Sequence, residues 1–171
     1  MVRNELYITL QKEIETIIKV GADLLTDGYN SSNAYIITVS TDYSSIVGQI
    51  LRHQLTFEGE ICDGFGIDVP YPDQKWDEQF EKELLETFKI HLDSLKDKTL
   101  ILVEAGVIRG SNYTHVVNTM KRVLGLEEKI ITVALFENKS SIWKSEYVGE
   151  YYNNETEDLT FWWERENNHW K

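Results

Sequence analysis

The chain has little cysteine, little proline and little positive charge, and each shortage excludes a class of protein. A single cysteine, Cys62, excludes an internal disulfide framework and favours a reducing, cytoplasmic location. The chain has 17 lysines and arginines but 29 acidic residues, and the resulting net charge of −12 disfavours binding to nucleic acid. No apolar run approaches the roughly 18–20 residues of a membrane span. We therefore expect neither a membrane partner nor a secretory signal.

The length and composition of the chain are typical of a globular protein. The chain has 171 residues, of which 42% are hydrophobic, and we expect one domain, residues 1–171, with a real core. Acidic residues are dense over 77–86 and 155–158. Solvated helix and loop faces explain them, with cation binding as the alternative.

Apolar spacing predicts alternating helices and strands. Residues 4–27 carry apolar positions at helical intervals, and Gly28 ends that pattern. A β-branched run over 34–39 predicts a buried strand, and 43–55 predicts a helix. Residues 56–75 hold both prolines, so we expect an irregular loop that forms a small hood.

The second half of the sequence predicts a βαβ unit. A helix over 76–95 precedes an apolar strand over 100–103, a glycine-containing turn, a helix over 113–124 and a strand over 129–136. A tail, 137–171, ends in a strand over 159–163 and completes one side of the predicted site. This order predicts an α/β fold with a mainly parallel central sheet flanked by helices. Ligands in such sheets bind at the carboxyl ends of strands, which favours the loops 40–44 and 104–114.

The window 100–112 resembles a family signature. It aligns without gaps to that of the type I phosphoribosyltransferases: four apolar residues, two acids, two apolar residues, Asp, Thr-Gly, any residue and Thr. The stretches 144–149 and 161–164 resemble the tail of the hypoxanthine, xanthine and guanine enzymes. The resemblance implies a phosphoribosyltransferase-like fold, phosphoribosyl pyrophosphate or a purine nucleotide as ligand, Mg²⁺ if transfer occurs, and a homo-oligomer.

Departures from the signature bear on catalysis. Glu104 fills the first acidic position, which contacts the ribose in the family, and is the candidate catalytic residue. Ala105 replaces the second acid, and Ile108 replaces the aspartate near the base. Since Ile108 cannot exchange protons, the resemblance predicts binding of a nucleotide or phosphorylated ribose, with ordinary transfer doubtful. The alternatives are an active divergent transferase and a non-catalytic sensor or interaction subunit.

The remaining site residues follow from the same resemblance. The loop after the central strand predicts a phosphate cradle, in which an arginine would pair with a phosphate in bidentate fashion. The segment 40–43 matches the pyrophosphate loop in place, but Asp42 would repel the anion. The phosphate-binding candidates are Arg109, Gly110, Ser111, Asn112 and Thr114, and the base-binding candidates are Lys139, Trp162, Trp163 and Glu164.

Each candidate also has a purely structural explanation. Glu104 would serve as a solvated or capping carboxylate, and 111–114 as helix-capping chemistry. The Trp162-Trp163 pair would pack in the core or an interface, and Lys139 would be a surface lysine. The histidines and Cys62 lack metal-ligand spacing, so no metal-ligating residues are predicted. A third interpretation is an unrelated doubly wound nucleotide-binding domain without a hood over the strand ends.

Overall fold

The computed structural model describes residues 4–40, 44–69, 78–95, 97–124, 130–162 and 164. Strands and helices alternate, as predicted, and the α/β class is confirmed. No helix in these ranges is long and apolar enough to cross a membrane. The elements are β1 (Asn4–Ile8), α1 (Leu10–Thr26), β2 (Ala34–Ser40), α2 (Ser44–Gln54), β3 (Gly64–Asp68), α3 (Glu78–Leu95), β4 (Thr99–Val107), α4 (Ser111–Leu124), β5 (Ile130–Asn138), β6 (Tyr147–Tyr152) and β7 (Glu157–Phe161).

Five strands form the central sheet in the order β3-β2-β4-β5-β6, and every neighbouring pair is parallel. Helices α1 and α2 contribute to the buried cluster on one face, and α3 and α4 to the cluster on the other. Because both faces are covered, the central strands read as nearly continuous apolar runs. The carboxyl ends of the parallel strands therefore form one edge, where the loops after β4 and β5 lie side by side.

The helix predicted over residues 4–27 begins later than expected. Residues 4–8 form β1, which pairs in parallel with β7 in a two-stranded sheet, with Leu6 opposite Leu159 and Ile8 opposite Phe161. Thr9 then caps α1, since its side chain accepts the backbone N–H of Lys12 at 3.1 Å. The apolar spacing of this segment suited a helix as well as a strand, and the distant partner strand decided between them.

Three further predictions need correction. Residues 64–68, assigned to an irregular hood, form β3 at the edge of the central sheet. Strand β4 extends to Val107, so Glu104 lies within the strand rather than after it. The sequence analysis missed β6, and β7 begins and ends two residues before the predicted 159–163. Pairing with a neighbouring strand sets each of these boundaries, which local composition does not report.

The small sheet of β1 and β7 covers the carboxyl half of β4. A Cβ atom at Gly106 would lie 3.1 Å from the Phe161 ring and 3.2 Å from the Leu159 side chain. A side chain at position 106 would require these neighbours to shift by a few tenths of an ångström, so glycine suits the close approach. The small sheet of β1 and β7 therefore covers this end of β4, and residues 70–75 of the predicted hood lie outside the described residues.

Candidate functional site

The junction of β4 and α4 brings the predicted phosphate-binding residues together. Gly110 has a φ of +79°, a conformation that favours glycine, and α4 begins at the next residue. The first backbone bond of the helix runs from the N–H of Thr114 to the carbonyl of Gly110 at 3.1 Å. The N–H groups of 111–113 therefore precede the hydrogen-bonded ladder, and such groups bind anions. Arg109 and Ser111 are exposed beside them.

The loop after β5 supports this junction. A Cβ atom on Gly110 would lie 2.2 Å from the Cβ atom of Trp143 and 3.2 Å from Ser141 Oγ. The side-chain amide of Asn138 donates to the carbonyl of Ile108 at 3.0 Å. The two loops are thus in direct contact, which fixes the position of the glycine and of the residues on either side of it.

Glu104 points inward rather than toward solvent. Its Oε1 atom accepts the side-chain amide of Asn112 at 2.9 Å. Its Oε2 atom is buried and has no hydrogen-bond partner among the described residues. Burial raises the pKa of this carboxyl to about 7, although the bond from Asn112 acts in the opposite direction. The protonated form is therefore well populated at neutral pH.

Tyr113 and Tyr152, neither of which was predicted as a site residue, lie close to this carboxyl group. The hydroxyl of Tyr113 donates to the carbonyl of Val133, while that of Tyr152 is buried without a partner in the described part of the chain. Burial and the charge of Glu104 raise the pKa of Tyr152 to about 12 and hold that of Tyr113 well above its usual value. Tyr152 comes from β6, which no sequence signal identified.

The two substituted positions of the signature have different environments. Ala105 is half-buried and packs against the core beneath α1 and α2. Ile108 is 44% exposed at the end of β4. A carboxylate at Ile108 would reach solvent, whereas one at Ala105 would face apolar neighbours. In the predicted pyrophosphate loop, residues 41–43 lie outside the described residues.

The described side chains at the end of β4 do not supply a ligand set that fits Mg²⁺. Magnesium prefers octahedral oxygen ligands and usually one or two carboxylates together with water. Among the described residues, no three His, Cys, Asp or Glu side chains cluster as metal ligands. At the β4 edge, Glu104 bonds to Asn112 through one oxygen and buries the other. Its neighbour Ala105 supplies no ligand.

The predicted base-binding residues are held in different ways. Lys139 is exposed directly after β5, and its backbone N–H donates to the carbonyl of Tyr152 at 2.8 Å. The indole N–H of Trp162 donates to Glu13 Oε2 at 2.8 Å. Glu164 uses its carboxylate locally, accepting the N–H of Phe161 at 2.7 Å. Trp163 lies outside the described residues.

Glu13 is a second buried acid that the sequence analysis did not identify. It lies in the first turn of α1 and is 2% exposed. Its Oε1 atom has no hydrogen-bond partner in the described ranges, while Oε2 accepts the indole of Trp162. Burial raises its pKa to about 7, and the bond from Trp162 partly opposes that shift. Glu13 thus joins α1 to the end of the tail.

Comparison with known proteins agrees with this architecture. No protein-family model and no curated protein sequence matches the chain. Among solved structures, the purine phosphoribosyltransferase from Pyrococcus horikoshii Ot3 has a TM-score of 0.67 at 19% identity, covering 94% of this chain and 94% of its own. The xanthine-guanine-hypoxanthine phosphoribosyltransferase of Helicobacter pylori has a TM-score of 0.64 at 12% identity, covering 96% of each chain.

A third similar structure contains a ligand. The HGPRT-ase from Leishmania tarentolae in complex with GMP has a TM-score of 0.56 at 15% identity, covering 85% of this chain and 80% of its own. At these identities the likeness establishes the fold. The chain therefore has the fold of the purine phosphoribosyltransferases, and the relationship predicted from the window 100–112 is confirmed at that level.

Proposed function

We propose that this protein binds a purine nucleotide or a phosphorylated ribose at the carboxyl edge of β4. The observation that carries the proposal is the β4–α4 junction, where Gly110 lies between the exposed Arg109 and the N–H groups of the first turn of α4. Such groups attract phosphate through their partial positive charge, and a guanidinium adds bidentate hydrogen bonds. Purine phosphoribosyltransferases with this fold, one of them in complex with GMP, support the choice of ligand.

The roles of the individual residues follow from their positions. Arg109 and Ser111 contact the phosphate from the exposed side of the loop, while Gly110, Asn112 and Thr114 shape the turn. On the base side, Lys139 is exposed, and Trp162, whose N–H bonds to Glu13, is half-buried. Trp163 and Glu164 complete this side in our proposal. The protein acts in the cytoplasm as a homo-oligomer.

The second candidate is an active, divergent purine phosphoribosyltransferase that uses Mg²⁺. Coverage of 94% of both chains in the Pyrococcus horikoshii comparison favours it, since the enzyme fold is represented almost completely. Against it stand Ala105 and Ile108, which supply neither an acid nor a base. Binding without transfer is therefore the primary proposal, and it corresponds to a sensor or regulatory role.

Calorimetric titration with GMP, IMP, XMP and phosphoribosyl pyrophosphate tests the proposal. We expect a nucleotide to bind and Arg109→Ala to weaken binding about tenfold, since a hydrogen bond to a charged group contributes roughly 1.5–3 kcal/mol. Arg122→Ala is the matched control, because Arg122 is exposed in the last turn of the same helix. Equal affinity of the Arg109 variant and the wild type would place the phosphate elsewhere.

Pyrophosphate release, measured with each purine base, separates the two candidates. Binding without release supports the primary proposal, and binding with turnover supports the transferase. If none of the four compounds binds, both are wrong, and an interaction subunit on the same fold is the remaining explanation.

A further inference from the structure

Resting on the proposed function, we propose that the β4–α4 site takes its phosphorylated ligand without Mg²⁺, with Arg109 supplying the positive charge and Glu104 acting as a positioning residue for Asn112. The described side chains at the end of β4 do not supply the ligand set that the expected Mg²⁺ would need.

The Glu104 carboxyl group is directed into the protein. Its Oε1 atom is occupied by the amide of Asn112 at 2.9 Å, and its Oε2 atom is buried without a partner among the described residues. The Oε2 atom is closed off from solvent, and Oε1 is directed at Asn112. The carboxyl group therefore acts on the site through Asn112, the second residue of α4.

The surroundings of that carboxyl group oppose its ionisation. The phenol rings of Tyr113 and Tyr152 lie close enough that its charge raises their pKa values. Burial raises the pKa of Glu104 itself to about 7, so a large part of the population carries no charge at neutral pH. Divalent hard cations bind deprotonated carboxylates, and this environment opposes deprotonation.

The loop after β4 carries a cation of its own. Arg109 is exposed beside the first turn of α4, where the backbone N–H groups already favour an anion. A guanidinium remains charged throughout the physiological range and pairs with two phosphate oxygens at once. The protein itself therefore supplies the positive charge that neutralises a bound phosphate monoester.

Titration with GMP and with ribose 5-phosphate, in excess Mg²⁺ and in excess EDTA, tests the inference. We expect affinities that agree within about twofold between the two conditions. Glu104→Ala should weaken binding about tenfold because Asn112 loses its partner. Glu104→Gln, which keeps an oxygen for Asn112 but no charge, should recover most of that loss. Circular dichroism of each variant reports whether it folds.

The outcomes separate the inference from the function on which it rests. Affinity that rises tenfold or more with Mg²⁺ overturns the inference and leaves the proposed function intact. Glu104→Gln that is as weak as Glu104→Ala would show that the negative charge itself is required, which also overturns it. Absence of binding in both conditions refutes the proposed function and the inference together.

Discussion

Replacement of Glu13 by glutamine should make the protein less sensitive to alkaline pH. Glu13 is almost completely buried, and its pKa rises from the usual 4.5 to about 7. The folded protein therefore holds this proton more tightly than the unfolded chain does. The resulting stabilisation is complete below the unfolded pKa and is lost as the pH rises through the folded pKa.

The size of the effect follows from that shift. Each pKa unit corresponds to about 1.36 kcal/mol, so the upper limit for this group is about 3 kcal/mol. Water penetration and side-chain relaxation reduce such penalties, and we expect a loss on the order of 2 kcal/mol between about pH 5 and about pH 8. Glutamine keeps an oxygen for the indole of Trp162 and carries no charge at any pH.

Urea unfolding followed by tryptophan fluorescence measures this difference. The free energy of unfolding of Glu13→Gln, relative to the wild type, should increase by on the order of 2 kcal/mol from about pH 5 to about pH 8. Glu15→Gln is the matched control, because Glu15 is exposed on the same helix. A Glu13→Gln difference that stays constant with pH would refute the claim that Glu13 titrates in a buried environment.

Substitutions at Gly110, Ala105 and Ile108 test the β4–α4 junction and the strand that leads to it. Gly110→Ala should destabilise the protein by about 3 kcal/mol, because a φ of +79° and a Cβ contact of 2.2 Å with Trp143 add together. Gly59→Ala, with a φ of +84° and no atom within 4 Å, isolates the backbone cost, and an equal loss in both variants would refute the packing contribution. Aspartate at both Ala105 and Ile108 should improve pyrophosphate release if the rest of the transferase site survives. Unchanged rate and affinity would show that this pocket is lost.

Much of the fold was predictable because it depends on local patterns. The apolar run before Glu104 indicated a central strand, and the following turn, with Gly110, indicated a helix start, so the βαβ unit was identified correctly. The predicted phosphate loop is brought together at one strand end for the same reason. Residues 4–8 were misassigned because their partner strand β7 lies far away in the sequence, and residues 64–68 because they form an edge strand; sequence composition carries no record of either.

The amino-acid sequence by itself determined the alternation of helices and strands, and with it the place where Arg109 and the start of α4 meet. Hydrophobic spacing and glycine act over a few residues, so these features are already present in the chain. Only the tertiary structure decided the pKa values of the two buried acids, Glu104 and Glu13. The charge of Glu104 acts on Tyr152 of β6, and Glu13 accepts a hydrogen bond from Trp162, 149 positions away in the sequence. Burial and hydrogen bonding set their pKa values, and both exist only after distant segments pack together.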